Sequence, residues 1–174
     1  VIPATSLYNT TFSGGGSCGV VATIVGSISD TLETQNNLIF NNGTINTILT
    51  SCQGNVTIQA GHDGGTSALI MDGDNSASID ATGATNLFDG KVVITKSNAS
   101  KTVSMNSGLT LDAAAQTVTF VKGRMISSAA NILAIGDNVT VAGASDSSFV
   151  FGPVRKIGND AFIFPLGATS PSAT

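Results

Sequence analysis

From Leu32 onward the chain is cut into short apolar clusters, each closed by Gly, Asn or Asp: NNLIFNNGTI, GNVTIQAG, SALIMDGD, KVVITKS, KTVSMNSGLTLDA, QTVTFVKGRMI and NILAIGDNVTVAGA. Each cluster holds three to five alternating residues, too few for a helix of ordinary length and well suited to a strand followed by a tight turn. Similar positions return at short intervals in Leu111, Val118, Met125, Leu133, Val141 and Phe149. Two all-β architectures place strands this way. A sandwich uses somewhat longer strands with a turn every 8 to 12 residues, whereas a parallel β-helix uses about three short strands per coil.

The shortness of the clusters, the Asn and Gly at their ends, and small residues such as Ala113, Ala114 and Ala115 that permit close stacking favour the parallel β-helix, a β-solenoid with irregular coils. The β-sandwich is the alternative. Composition excludes much else. Charged residues make up only 10% of the 174 residues, with one Glu, one His and no Trp. A helix surface normally carries Glu, Lys, Arg and Gln, so their scarcity argues against helices throughout. A mean hydropathy of +0.30 separates the chain from disordered segments of similar Ser, Thr and Asn content. The net charge of −4 disfavours nucleic acid, whose phosphates call for clustered Lys and Arg. No run of about 18 apolar residues is present, so insertion in a membrane as a helix is not expected.

Candidate chemistry is sparse. Gly14, Gly15 and Gly16 precede Cys18 and Gly19 rather than the Lys and Ser/Thr of a phosphate-binding loop, so a flexible turn is expected there. His62, in HDGG, has no second His to share a metal and is read as part of a surface turn. Asp72, Asp74 and Ser76 match the opening of an oxygen-rich calcium loop, but Ala77 and Gly83 stand where such a loop needs Gly and Glu. They remain a weak calcium candidate, and no other cofactor is expected. Asp63, Asp72, Asp74, Asp80 and Asp89 could supply the paired carboxylates of a polysaccharide lyase or hydrolase. The lack of Trp and the single Tyr speak against a sugar-cleaving groove, and no catalytic residue is assigned. Sequons at Asn9, Asn42, Asn55, Asn98 and Asn138 are no more than a Ser-, Thr- and Asn-rich chain is expected to contain by chance.

Cys18 and Cys52 lie outside any metal-binding spacing. They are either a disulfide formed in an oxidising compartment or two buried thiols. The composition, typical of secreted proteins, favours the disulfide, which would contribute about 3 kcal/mol by loop closure.

The segment SSFVFGPVRKIGNDAFIFPLG, Ser147 to Gly167, gathers two basic residues between aromatic runs. Gly152 and Pro153 predict one turn and Gly158 begins a second. Phe149, Phe151, Phe162 and Phe164 are expected to plug the last coil, with Arg155 and Lys156 at the surface or reaching neighbouring carbonyls. From Thr117 to Gly167 the pattern TVTFVKGRMI…NILAIGDNVTVAGASDSSFVFGPVRKIGNDAFIFPLG resembles a β-helical segment of large secreted and cell-surface proteins of Bacteroidota that the type IX secretion system exports. The resemblance covers just under a third of the chain.

It implies an extracellular or outer-surface location, the type IX machinery as a partner during export, and a non-enzymatic structural or adhesive role. It also implies a longer parent protein, because in such proteins a further β-rich domain often follows FPLG. Surface glycans or other cells are the expected contacts. A carbohydrate-binding module on one solenoid face is the alternative, and a lyase or hydrolase fragment a more distant one. On the same basis Asp30-Thr31-Leu32 matches the short motif on which such proteins carry O-glycans, at Thr31. The expected division is a cap or edge segment over residues 1–31, a solenoid body over 32–148, and a cap with the start of a following domain or linker over 149–174.

Overall fold

A computed structural model describes residues 5–13, 24–25, 31–46, 48–62, 64–84 and 87–168. The strands stack turn upon turn. The first turn contains β1 (Thr5–Leu7), β2 (Thr10–Phe12) and β3 (Ile24–Val25), and the second β4 (Thr31–Thr34), β5 (Leu38–Gly43) and β6 (Ile45–Asn46). The third and fourth contain β7 (Leu49–Cys52) with β8 (Val56–His62), and β9 (Ala68–Met71) with β10 (Ala77–Asp80). The fifth contains β11 (Val92–Thr95), β12 (Thr102–Met105) and β13 (Leu109–Leu111). The sixth contains β14 (Thr117–Ile126) and β15 (Leu133–Ile135), and the seventh β16 (Thr140–Ala142), β17 (Ser148–Phe151) and β18 (Val154–Lys156).

Strands of successive turns pair in parallel, so the chain is a β-solenoid and the sandwich alternative is set aside. One face runs β1-β4-β7-β9-β11-β14-β16 and the next β2-β5-β8-β10-β12-β14-β17. A third face carries β13-β15-β18, with β3-β6 paired separately. The single strand β14 serves both of the longer faces. Its first half pairs β11 and β16, its second half β12 and β17, and the bend between them sits at Gly123. Gly123 has φ 93, and a Cβ there would lie 2.8 Å from Lys96 Cγ, so both the turn and its neighbour require glycine.

Alternation along each strand builds the interior. On the first face Leu32, Thr50, Leu69, Val92, Val118 and Val141 fall in one column, and Thr34, Cys52, Met71, Ile94 and Phe120 in the next. On the third face Leu109, Leu133 and Val154 form a column beside Leu111, Ile135 and Lys156. Aromatic rings fill the middle of the early turns: Phe40 stacks on Phe12 at 5.4 Å and meets the edge of Phe88 at 4.7 Å. Several of the polar groups drawn inside are bonded between turns, as burial demands. Thr34 Oγ1 donates to Thr10 Oγ1 at 2.8 Å, Ser67 Oγ to the Ile48 carbonyl at 2.8 Å, and Gln116 Nε2 to the carbonyls of Phe88 and Gly90.

Stacking crosses both boundaries read from the sequence. β1 and β2 already pair with β4 and β5, so the described solenoid begins at Thr5 rather than at 32. At the other end β17 and β18 are strands of the seventh turn rather than a separate cap. The physical reason is that parallel edges are met by backbone, which composition does not report. The irregular period has a plain origin as well. The faces keep register while corner lengths vary, so the advance from Leu32 to Thr50 is much shorter than that from Val92 to Val118.

Candidate functional site

Three places carry polar groups that the core does not explain: the corner beneath Lys96, the interior around His62, and the last turn. Lys96 follows Val92 and Ile94 in the inward phase of β11 and is 2% exposed. Its ammonium donates to the Gln53 carbonyl at 3.0 Å and to the Asp72 carbonyl, linking three successive turns at one corner. Burial pulls the Lys96 pKa below the ordinary lysine value, and the negative charge of Asp72 opposes that shift.

The calcium candidates surround this corner without sharing a ligand. Asp72 Oδ2 accepts from Ser51 Oγ at 2.7 Å, Asp74 Oδ1 accepts from Ser97 Oγ, and Ser76 Oγ accepts the Thr102 N–H at 3.1 Å. The positive charge at the Asp72 main chain comes from Lys96. Among the described residues no three His, Cys, Asp or Glu side chains gather as a metal site. Of the remaining carboxylates, Asp80 is held below the usual range by hydrogen bonds from Thr82, which keeps it ionised. Asp89 is exposed, and Asp63 lies outside the described residues.

His62 is not part of a surface turn. It is 1% exposed, with its ring 5.1 Å from Phe40 and 5.2 Å from Phe88. The cause is a register irregularity: β5 and β8 shift past Phe40, and the resumed pairing sets Gly43 opposite His62 with its side chain inward. Composition signalled neither this nor Lys96. The alternation Val92, Ile94, Lys96 is the signal that points to the latter.

Cys52 is buried, and its thiol donates to the carbonyls of Asn36 at 3.5 Å and Asn55 at 3.6 Å. Cys18, its expected partner, lies outside the described residues. In the reduced protein, burial pushes the Cys52 thiol from 9.0 up to about 11. A raised thiol pKa means that the unfolded chain loses its proton first, so this stabilisation is complete below about pH 9 and is lost as pH rises through 11. Comparing reduced wild type with Cys52→Ala by urea denaturation, the stability difference is expected to shrink by about 2 kcal/mol between pH 8 and 11. A difference that stays constant with pH would show that the thiol is as solvated in the folded chain as in the unfolded one.

The last turn corrects the expected aromatic plug. In β17 it is Val150 that points into the core, fully buried, while Phe149 and Phe151 take the outward phase opposite Arg124 and Ile126. Phe149 is nevertheless 3% exposed, because the Arg124 guanidinium lies over its ring at 5.3 Å and Gly167 lies close against the ring. Only Phe162 of the four packs against the core, with Phe164 at its edge 5.0 Å away. Gly152 and Gly158 occupy left-handed turns at φ 123 and φ 97, and the Pro153 carbonyl accepts from Ser127 Oγ at 2.8 Å.

Both halves of the expectation for the basic pair are met: Arg155 is exposed, and Lys156, at the end of its column, reaches neighbouring carbonyls. Its ammonium donates to the carbonyls of Gly136 and Ile157, both at 2.8 Å, and to Asp160 Oδ2 at 3.4 Å. Asp160 also accepts the Asn138 N–H at 3.1 Å, the main reason its carboxyl lies below the usual range. Beyond this pair the chain begins another turn, with Leu166 bridging Val150 in parallel. Between Asn138–Val141 on one lip and Asp160–Ile163 on the other lies a cleft of about 350 Å³, with Lys156 also in its lining. Thr31, the expected glycan position, starts β4 opposite Leu49 and is partly exposed. No protein-family model matches the chain, and neither a curated protein nor a solved structure shows significant similarity to it.

Proposed function

We propose that the chain is a non-enzymatic structural module of an exported bacterial surface protein, a stiff spacer with adhesive capacity that is cargo of the type IX secretion system. The observation that carries the mechanical part is the bonding between turns outside the core as well as within it. Asn55 Oδ1 accepts both the N–H and the Oγ of Ser78, while its Nδ2 donates to Asn37 Oδ1 at 3.3 Å. Asn9 Oδ1 likewise accepts from Asn36 Nδ2 and from the Asn37 N–H. Such ladders hold each turn to its neighbours with neutral groups, which suits a rod exposed to variable salt and pH.

The export route rests on the resemblance of residues 117–167 and supplies the location, outside the cell. Intact mass and glycopeptide mapping of the protein from its native source test this reading. The expected result is a mass well above 17.4 kDa, with sugar on the peptide that contains Thr31 and none on a Thr31→Ala variant. A mass of 17.4 kDa with an unmodified Thr31 peptide would overturn it.

A further inference from the structure

The cleft at the last turn lies along a strand edge that has no partner among the described residues. Among them, β16 pairs with β14 on one side only. Among the described residues, no backbone hydrogen bond joins β16 to the chain at 161–163, which forms the opposite lip. Direction follows from one bond. Thr140 donates its N–H to the Gln116 carbonyl at 3.0 Å, toward β14. Successive residues of a strand turn their amide groups to opposite sides, so Val141 turns its N–H and C=O away from β14, toward the cleft. The inner strands of this face meet a neighbour on both sides.

We infer that this cleft is a strand-acceptor site, binding an extended, uncharged peptide alongside β16 through backbone hydrogen bonds. The lining narrows the ligand class. All three ammonium protons of Lys156 have acceptors, one of them Asp160, so the cleft holds no spare cation for an anionic group. The Phe162 ring is occupied by Lys156 at 5.6 Å and by Phe164, which removes it as a platform for a sugar ring. What remains is a main-chain donor and acceptor flanked by Val139, Ala161 and Ile163, the arrangement met by an added β-strand with small or β-branched side chains. At about 350 Å³ the cleft sits at the small end of ligand pockets and holds a few residues. This inference does not depend on the export route.

The test is a titration of ¹⁵N-labelled protein with the blocked pentapeptide acetyl-Thr-Val-Ser-Val-Thr-amide, followed by amide shifts. Shifts are expected at Val139–Ala142 and Asp160–Ile163, and a peptide N-methylated at alternate residues should produce none. Val141→Pro removes a donor that no bond among the described residues uses, and is expected to weaken binding at least tenfold. Ile163→Asp changes a side chain that is 89% exposed and should also weaken binding, which keeps the test valid if the proline variant fails to fold. Absence of shifts at millimolar peptide, shifts elsewhere on the solenoid, unchanged affinity in Ile163→Asp, or occupation of the cleft by cellotetraose in place of the peptide would each overturn the inference.

Discussion

Phe40→Ala is expected to lower the unfolding free energy by about 3 to 5 kcal/mol, the range for removing a large aromatic side chain from a packed interior. Phe40 is fully buried and touches Phe12, His62 and Phe88, rings contributed by the first, third and fourth turns. The loss therefore combines the transfer of a ring with a void that three turns would have to close together. Parallel strands on both sides fix the backbone at this level, so closure is limited. Urea denaturation at neutral pH reads the effect directly. Phe40→Leu should recover more than half of it by refilling most of the volume. A loss below about 1 kcal/mol in the alanine variant would mean that the early turns are not packed around this ring.

Gly152→Ala should cost about 3 kcal/mol and act on one part of the molecule. At φ 123 an alanine is strained whatever its surroundings, and its methyl group would also meet the Ser127 carbonyl and lie 2.6 Å from Ser127 Oγ. The Ser127 hydroxyl is the group that ties the sixth turn to Pro153. Because each turn of a solenoid contacts mainly its neighbours, the damage should remain local. Hydrogen exchange is expected to show lost protection in β18 and at residues 157–167, with β7 to β12 unchanged. Uniform loss of protection would show instead that the solenoid unfolds as a single cooperative unit.

The β-solenoid was legible in the sequence because strand length, turn residues and the shortage of helix formers all point the same way. What was not legible depends on phase. A run such as KVVITKS reads as a strand with charged ends, yet Lys96 continues the inward alternation of Val92 and Ile94 and is accommodated by carbonyls of two earlier turns. Those carbonyls come from the corners at Gln53 and Asp72, which no local pattern places beside residue 96. His62 was hidden by an irregularity in pairing that flips the phase within one strand. Phe149 and Phe151 misled in the opposite sense, since their hydrophobicity suggested the core while alternation about Val150 sends them outward. The cleft beside β16 left no trace in the sequence, being a property of two backbone segments that fail to bond.

One corner of the fold is crossed in two different ways. Between β11 and β12 the chain leaves the stack through Ser97–Ser100, where Asn98 Oδ1 closes a small turn onto the Ser100 N–H and hydroxyl. One turn later the same corner is a bend inside β14, with no excursion at all. Length at this position is therefore decoupled from the registers on either side. Residues can be gained or lost between Asn98 and Ser100 without moving a core side chain, which makes that tip a natural place for lineages to vary and for an epitope to be grafted.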